Sequence, residues 1–97
     1  MSYKIRLSPE AQLDFDISFE YYLEISQSIA LKFKNEFEEA LEKLEAKPLL
    51  EIRYHAFRFF PLQKFPFLLI FTVDLEMKFV EIYAVFHTSR DPFDYPT

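Results

Sequence analysis

The sequence has no cysteine, no tryptophan and no glycine among its 97 residues. The lack of cysteine excludes disulfides, thiolate-bound metal sites and a thiol nucleophile. The lack of glycine means that turns must be built with proline or with aspartate-type side chains. The longest apolar run, 65–73, contains a proline and is far shorter than the ~20 residues of a membrane span. No signal-peptide pattern is present, so we expect one soluble, cytoplasmic domain.

Basic residues are few and unevenly placed. The net charge is −5, and residues 9–52 contain eleven acidic side chains against four basic ones, whereas residues 53–90 are weakly basic. Proteins that bind nucleic acids owe much of their affinity to basic stripes that neutralise phosphates. Any such surface here must be small and confined to the second half of the chain.

A short strand followed by a helix is predicted at the start of the chain. Residues 3–7 alternate apolar and polar side chains, which places Tyr3, Ile5 and Leu7 on the core side of a strand. Ser8 is a typical N-cap, and Pro9 suits a first helical turn, where no backbone donor is needed. A helix should therefore begin at residue 9.

Two amphipathic helices are predicted in the first half. The first covers about 9–24, with Leu13, Ile17 and Tyr21 recurring every four residues as its apolar stripe. The second covers about 27–46 and ends before Pro48. Its stripe consists of Ile29, Phe33, Phe37, Ala40, Leu41 and Leu44. The short connection indicates a helical hairpin, whose apolar stripes need a sheet to pack on.

The second half has the pattern of strands, which we place at about 52–60, 67–73 and 79–87. The last two should form an antiparallel hairpin, and 67–73, which has no alternation, should be a central strand. In the last strand, simple alternation assigns Val80, Ile82, Ala84 and Phe86 to one face and Phe79, Glu81, Tyr83, Val85 and His87 to the other. The predicted fold is α+β, with the order β-α-α-β-β-β and a two-helix hairpin packed on a small, mainly antiparallel sheet.

Three side chains, Arg58, His87 and Arg90, are expected to lie together at one end of the sheet and are candidates for chemistry on a phosphodiester. Because an imidazole in general titrates near neutrality, His87 is a candidate general acid or base, although a histidine that only hydrogen-bonds the local backbone is the more frequent case. Arg90 and Arg58 could bind and stabilise a phosphate, or could simply pair with carboxylates and stack on aromatic rings. His55 has no spaced partner for a metal pair, and the acidic residues of the first helix are expected to form a solvated face.

Aromatic residues make up 20% of the chain, which is more than a core of this size needs. Aromatic side chains are favoured at protein interfaces because they bury a large area at low entropic cost. We therefore expect an uncovered apolar groove that binds a protein partner. Its predicted residues are Phe57, Phe59, Phe79, Tyr83, Phe93 and Tyr95.

The order and spacing of several segments resemble the RelE/ParE superfamily of toxins from type II toxin–antitoxin modules, and most closely the ParE, or plasmid-stabilisation, branch. The segments are YKIRLSPEA at 3–11, DFDISFEYY at 14–22, ALKF at 30–33, RFF at 58–60, FPFLLIF at 65–71 and VFHTSRDP at 85–92. No one of them is specific alone. Together they span nearly the whole chain.

The resemblance implies a growth-inhibiting toxin with a cognate antitoxin as its main partner. ParE-like members are thought to act on DNA gyrase by protein contact, which requires neither a catalytic set nor a cofactor. A RelE-like alternative is a ribosome-dependent mRNA endoribonuclease that uses His87, Arg90 and Arg58. The net negative charge of the chain is unfavourable for docking on ribosomal RNA. A second alternative is a toxin-derived interaction protein without toxicity. The assembly remains open between a homodimer and a toxin–antitoxin hetero-oligomer, and no membrane or metal is expected to take part.

Overall fold

The structure, a computed structural model, describes residues 2–96. Its elements are β1 (Lys4–Leu7), α1 (Pro9–Ile25), α2 (Gln27–Ala46), β2 (Ile52–Tyr54), β3 (Phe57–Pro61), β4 (Phe67–Asp74), β5 (Phe79–His87) and a short 3-10 helix (Pro92–Asp94). The strands form one sheet in the order β1-β5-β4-β3-β2, in which β1 is parallel to β5 and the other neighbours are antiparallel. This confirms the predicted α+β fold and places β4 at the centre of the sheet.

Two serines define the helical hairpin. The Ser8 hydroxyl oxygen accepts from the backbone N–H of Ala11 at 3.0 Å and begins α1. The Ser26 N–H donates to the Tyr22 carbonyl at the end of α1, and its side chain accepts from Ile29 N–H at 3.4 Å to begin α2. One residue thus ends one helix and caps the next, which allows a tight connection without glycine. The helix limits differ from the predicted ones by at most one residue.

The predicted apolar stripe is correct for α2 and wrong for α1. Leu13, Ile17 and Tyr21 are 58%, 59% and 61% exposed and point away from the core. The side of α1 that packs inward instead carries Phe15, whose ring centroid lies 5.3 Å from that of Phe33 in α2. The other inward residues of α1 are Ala11, Phe19 and Tyr22. The helix has two apolar stripes, and the one richer in large aromatic rings is buried because it removes more apolar surface from water.

The predicted strand 52–60 is in fact two strands, β2 and β3, joined by a tight turn. His55 adopts φ 54°, in the left-handed region that glycine would occupy at lower cost. Lys78 adopts φ 53° in the β4–β5 turn, where the Asp74 carboxylate accepts from the N–H groups of Glu76 and Met77, both at 3.0 Å. Aspartate chemistry therefore replaces glycine at one turn, and a strained histidine replaces it at the other.

A β-bulge at Tyr83 reverses the alternation predicted for β5. Phe71 of β4 pairs with Ile82, but the next residue, Ile70, pairs with Ala84, so Tyr83 has no opposite partner. Beyond the bulge every side chain changes face, because side chains alternate with a period of two. The predicted grouping of Val80, Ile82, Ala84 and Phe86 is therefore wrong, since the first two face the helices and the last two face the opposite side.

The sheet has an inner face, packed against the helices, and an outer face. Fully buried residues of the inner core include Phe33, Leu44, Leu69, Phe71, Val80 and Ile82. The outer face carries a smaller cluster, with Phe57, Ile70, Ala84 and Phe86 as its buried members. Within residues 2–96 no helix is long and apolar enough to span a membrane.

Candidate partner-binding surface

Aromatic side chains converge on the outer face of the sheet. We call this set, Tyr54, Phe57, Phe59, Tyr83, Phe86 and Tyr95, the aromatic face. Tyr95 comes from the C-terminal segment, and its ring lies 5.5 Å from Tyr54, 5.0 Å from Phe59 and 4.7 Å from Phe86, each in an edge-on arrangement. The aromatic face is therefore covered by a side chain of the tail rather than by a helix.

Four of the six aromatics predicted to bind a partner belong to the aromatic face: Phe57, Phe59, Tyr83 and Tyr95. Phe57 is buried, Phe59 and Tyr95 are half-buried, and Tyr83 is exposed. Phe79 lies apart, at the start of β5, with the Arg6 guanidinium 5.3 Å from its ring centroid. Phe93, in the 3-10 helix, is 93% exposed. The predicted groove is thus partly closed, with Tyr83 and Phe93 as its most accessible rings.

A cavity of about 430 Å³ opens beside the aromatic face, between the start of α1, the bulge of β5 and the C-terminal segment. It is lined by Glu10, Asp14, Tyr83, Ala84, Phe86, Arg90, Asp94 and Pro96. Three carboxylates and one guanidinium thus face the same space. A phosphate group entering it would meet more negative than positive charge.

Asp14 makes a contact in this region that sequence reasoning missed, because the residue was assigned to the solvated face of the first helix. Its Oδ2 accepts from the Val85 N–H at 3.0 Å, just beyond the bulge. Burial raises the pKa of the Asp14 carboxyl above its ordinary value of 3.8, and the hydrogen bond from Val85 and the charge of Arg90 oppose that rise. Periodicity alone could not find this contact, because its partner is created by the pairing of β4 with β5.

The bulge itself is held by residues at the start of α1. The Ser8 N–H donates to the Ile82 carbonyl at 2.9 Å, and the Ser8 hydroxyl donates to the Tyr83 carbonyl at 3.1 Å. Ser8 and Asp14 therefore provide hydrogen-bond partners for backbone groups of β5 at the edge where its pairing with β1 ends. This fixes Tyr83 at the mouth of the cavity.

Arg90 is held against the outer face by an aromatic ring and a carboxylate. Its guanidinium carbon lies 4.7 Å from the Phe86 ring centroid, and its Nη2 lies 3.8 Å from Asp94 Oδ2. A cation over a ring and beside a carboxylate has its preferred partners already in place. The guanidinium has further N–H donors, but a phosphate that approached it would also meet the negative charge of Asp94.

His87 lies at the end of β5 on the inner side, with its ring edge-on to Phe67 at 5.0 Å. Its Nδ1 accepts from the Ser89 N–H at 3.1 Å and lies 2.7 Å from the Ser89 hydroxyl. The hydrogen-bond network therefore assigns the proton of the neutral imidazole to Nε2. This is a turn-stabilising arrangement in which Nδ1 is already occupied.

Arg58 lies on the inner face of β3, opposite Phe71, and its Nε donates to the Leu50 carbonyl at 2.6 Å. His87 pairs with Phe67, and three residues of β4 lie between Phe67 and the residue opposite Arg58. Arg90 is on the outer side, against Phe86. The structure thus does not bring Arg58, His87 and Arg90 together, contrary to the expectation of one constellation, and a catalytic role for any of them remains a prediction.

No group of three or more histidine or carboxylate side chains that could hold a metal ion is found among residues 2–96. His55, which was expected to be structural, lies in the β2–β3 turn with its ring 4.3 Å from that of Tyr54.

Two solved structures are similar to this fold. One is described as the chromosomal ParDE toxin–antitoxin system from P. aeruginosa, with a TM-score of 0.78, 19% identity, and coverage of 91% of this chain and 98% of that one. The other is the toxin–antitoxin complex RelBE2 from Mycobacterium tuberculosis, with a TM-score of 0.60, 20% identity, and coverage of 90% and 99%. These likenesses establish the fold. No curated protein sequence matches the chain significantly.

A family model provides the assignment. Residues 5–92 match the model described as the ParE toxin of type II toxin–antitoxin system, parDE. The match includes both helices and all five strands apart from the first residue of β1. The chain therefore belongs to the ParE toxin family of type II toxin–antitoxin systems.

Proposed function

We propose that this protein is a growth-inhibiting toxin that acts in the cytoplasm by protein contact on an essential target, DNA gyrase, and that a cognate antitoxin neutralises it. Membership of the ParE toxin family supports the proposal. The observation that carries it is the aromatic face, in which the Tyr83 ring is exposed and the other rings are covered by Tyr95 and Arg90 rather than by a helix. Exposed aromatic rings beside a cavity are typical anchors of protein interfaces.

The charges of the cavity favour contact with protein over cleavage of RNA. The single guanidinium, from Arg90, shares the cavity with Glu10, Asp14 and Asp94. An endoribonuclease must attract a polyanion and stabilise additional negative charge in the transition state, and this arrangement opposes both. The dispersal of Arg58 and His87 to the inner face points the same way.

The proposed antitoxin covers the aromatic face. Antitoxin segments that order on binding suit such a surface, because an extended apolar groove compensates the entropy lost on folding. Both solved neighbours are described as toxin–antitoxin systems or complexes, which supports an antitoxin as the partner class. The cavity beside the bulge would then accept a cationic side chain of the antitoxin, since its carboxylates outnumber its one cation.

The experiment is tightly controlled expression of the full chain, with DNA and protein synthesis followed by pulse labelling in the first minutes. We expect DNA synthesis to fall first and the cells to filament. Purified chain should also inhibit supercoiling by purified gyrase. An immediate stop of translation with new mRNA ends would overturn the proposal in favour of the RelE-like nuclease, and unchanged growth would favour a toxin-derived interaction protein.

Variants with different expected effects distinguish the protein-contact mechanism from the nuclease mechanism. Phe93→Ser should reduce growth arrest without loss of fold, because the ring is almost fully exposed. Truncation of residues 91–97 should abolish it. His87→Ala should leave growth arrest largely intact, with Phe93→Ser as the matched comparison. If His87→Ala or Arg90→Ala removes RNA cleavage while antitoxin binding persists, the nuclease mechanism holds instead.

A further inference from the structure

The outer stripe of α1, Leu13, Ile17 and Tyr21, is an apolar surface that no part of the described chain covers. Residues at i, i+4 and i+8 lie along one side of a helix, so the stripe extends over about two turns, ~12 Å. Each of its three side chains is more than half exposed. Leu23 and Ile25 are also exposed, which makes α1 the element with the most exposed large apolar residues.

A regular row of carboxylates borders this stripe. Each apolar residue is followed three positions later by an acid, in the pairs Leu13 and Asp16, Ile17 and Glu20, Tyr21 and Glu24. Residues at i and i+3 are neighbours on a helix surface. Glu10 precedes Leu13 by the same interval on the other side. The surface therefore has an apolar centre and a negative rim.

The fold gains little from this row of charges. Glu10 suits the first turn of α1, and Asp16 accepts from the Gln12 side-chain N–H at 3.0 Å, but Glu20 and Glu24 have no such role among the described residues. α1 contains five acidic residues and no basic ones, and among the described residues none of Glu10, Asp16, Glu20 and Glu24 forms an ion pair. Like charges four residues apart, as in Asp16 with Glu20 and Glu20 with Glu24, destabilise a helix. Glu24 also lies in the last turn, where the helix dipole disfavours an anion. The charges are therefore better explained by something outside the chain.

We infer that the outer stripe of α1 is a docking surface for a basic amphipathic helix of a partner protein. The apolar side of such a helix packs on Leu13, Ile17 and Tyr21, and its lysine or arginine side chains pair with the carboxylate rim. The charge pattern decides against the other occupants. A second copy would place the acidic rows of two α1 helices against each other, and an anionic membrane surface would repel them.

This surface is distinct from the aromatic face, and it adjoins the cavity beside that face only at Glu10. The outer stripe carries none of the residues of the aromatic face, which come from β2, β3, β5 and the tail. The inference is therefore independent of the proposed toxicity and of gyrase as a target. A chain without any effect on growth could still carry this docking surface.

The test uses the full chain, labelled with nitrogen-15, and a designed peptide of about 18 residues, five helical turns, with a leucine face flanked by lysines. A peptide in which glutamate replaces every lysine is the matched control. We expect the Leu/Lys peptide to shift amide resonances centred on residues 13–24, and to bind more weakly as salt is added. We expect the Leu/Glu peptide to bind at least about 10-fold more weakly.

Two variant pairs locate the contact. Ile17→Ser should weaken binding of the Leu/Lys peptide by about 10-fold, whereas Leu31→Ser, an exposed apolar residue of α2, should leave it unchanged. The double variant Glu20→Gln with Glu24→Gln should weaken binding by about 5-fold. Glu38→Gln with Glu42→Gln makes the same charge change on exposed positions of α2 and should have no effect.

Three results would overturn the inference. The first is equal binding of the two peptides, and the second is resonance shifts centred on the aromatic face rather than on α1. The third is a dimer in sedimentation equilibrium that Ile17→Ser dissociates, because the occupant of the stripe would then be a second copy. Thermal midpoints no lower than that of the wild type, for all variants, show that a weaker contact is not a consequence of unfolding.

Discussion

The inner and outer faces of the sheet are both aromatic, but they differ in what covers them. On the inner face two helices bury Phe33, Phe71 and Ile82 completely. On the outer face the rings of Phe59 and Phe86 are covered by Tyr95 of the tail. Burial between two packed layers is lost only when the domain unfolds, whereas a cover made of a few side chains can open locally without unfolding the domain. The inner face therefore maintains the fold, and the outer face is available for binding.

The largest effect should come from the inner face. Phe33→Ala removes a fully buried ring that packs against the rings of Phe15, Tyr22, Phe65 and Phe67. We expect a loss of about 3–5 kcal/mol in the free energy of unfolding, measured by urea denaturation. Leu31→Ala, on the exposed side of the same helix, should change it by less than about 0.5 kcal/mol. Similar losses for both variants would break the distinction between the faces.

A smaller loss should follow removal of the Asp14 side chain, which joins α1 to β5 beside the bulge. Asp14→Ala leaves the Val85 N–H without its acceptor, and we expect a loss of about 1–3 kcal/mol in the free energy of unfolding. Asp14→Asn keeps an acceptor oxygen and should be at least as stable as the Ala variant. Hydrogen exchange of the Val85 amide measures the same contact directly, and unchanged protection in the Ala variant would contradict it.

Tyr95→Ala tests how firmly the tail covers the outer face. It removes three edge-on ring contacts of a half-buried side chain, so we expect a loss of about 1–2 kcal/mol in the free energy of unfolding. Proteolysis of the tail should accelerate, while exchange in β4 stays slow. Phe93 lies in the same segment but is exposed, so Phe93→Ala should neither lower the free energy of unfolding nor accelerate proteolysis of the tail. A global loss of protection in β4 would show that the outer face also maintains the fold.

The pH dependence of Asp14 should have the sign opposite to that of a paired carboxylate. Because burial raises its pKa above 3.8, the folded chain binds this proton more tightly than the unfolded chain does. Its contribution to stability is fully present below pH 3.8 and is lost as the pH rises through the raised pKa. As the pH falls from 7, the wild type should therefore become more stable relative to Asp14→Asn, as measured by the difference between their free energies of unfolding. A difference in unfolding free energy that does not change with pH would contradict the raised pKa of Asp14.

The smallest effect concerns the turn that separates β2 from β3. His55→Gly relieves a left-handed conformation, although it also removes the contact with Tyr54 and loosens the unfolded chain. We expect a net gain of about 0.5 kcal/mol in the free energy of unfolding. The exposed control is Ala56→Gly, at the neighbouring turn position, for which no positive φ is found. That variant should be neutral or destabilising, and a gain there would contradict the strain at His55.

Local sequence signals were sufficient for the elements that depend on local chemistry. Ser8, Pro9 and Ser26 define the helix ends by capping, and these limits agree with the structure. The apolar stripe of α2 was also correct, because that helix has only one. Along α1 two stripes compete, and the choice between them depends on how Phe15 fits against Phe33 and Phe37, which no local pattern records.

The candidate site was predictable in composition but not in arrangement. Phe57, Phe59, Tyr83 and Tyr95 were correctly placed close to one another. The bulge at Tyr83 was not predictable, since it exists only through the pairing of β5 with β4 and the contacts of Ser8 and Asp14. The same bulge explains why strict alternation beyond residue 82 assigned side chains to the wrong faces.

The parallel pairing of β1 with β5 has a consequence for synthesis of the chain. Arg6 and Glu81, which form an ion pair at 2.6 Å, are 75 positions apart in sequence. During vectorial synthesis β1 emerges first, yet its only strand partner is the last strand to be made. The nascent chain can form the helical hairpin early, but the sheet stays incomplete until β5 has left the ribosome. The aromatic face, which includes Tyr83 at the bulge of that strand, therefore forms only after β5 has been made.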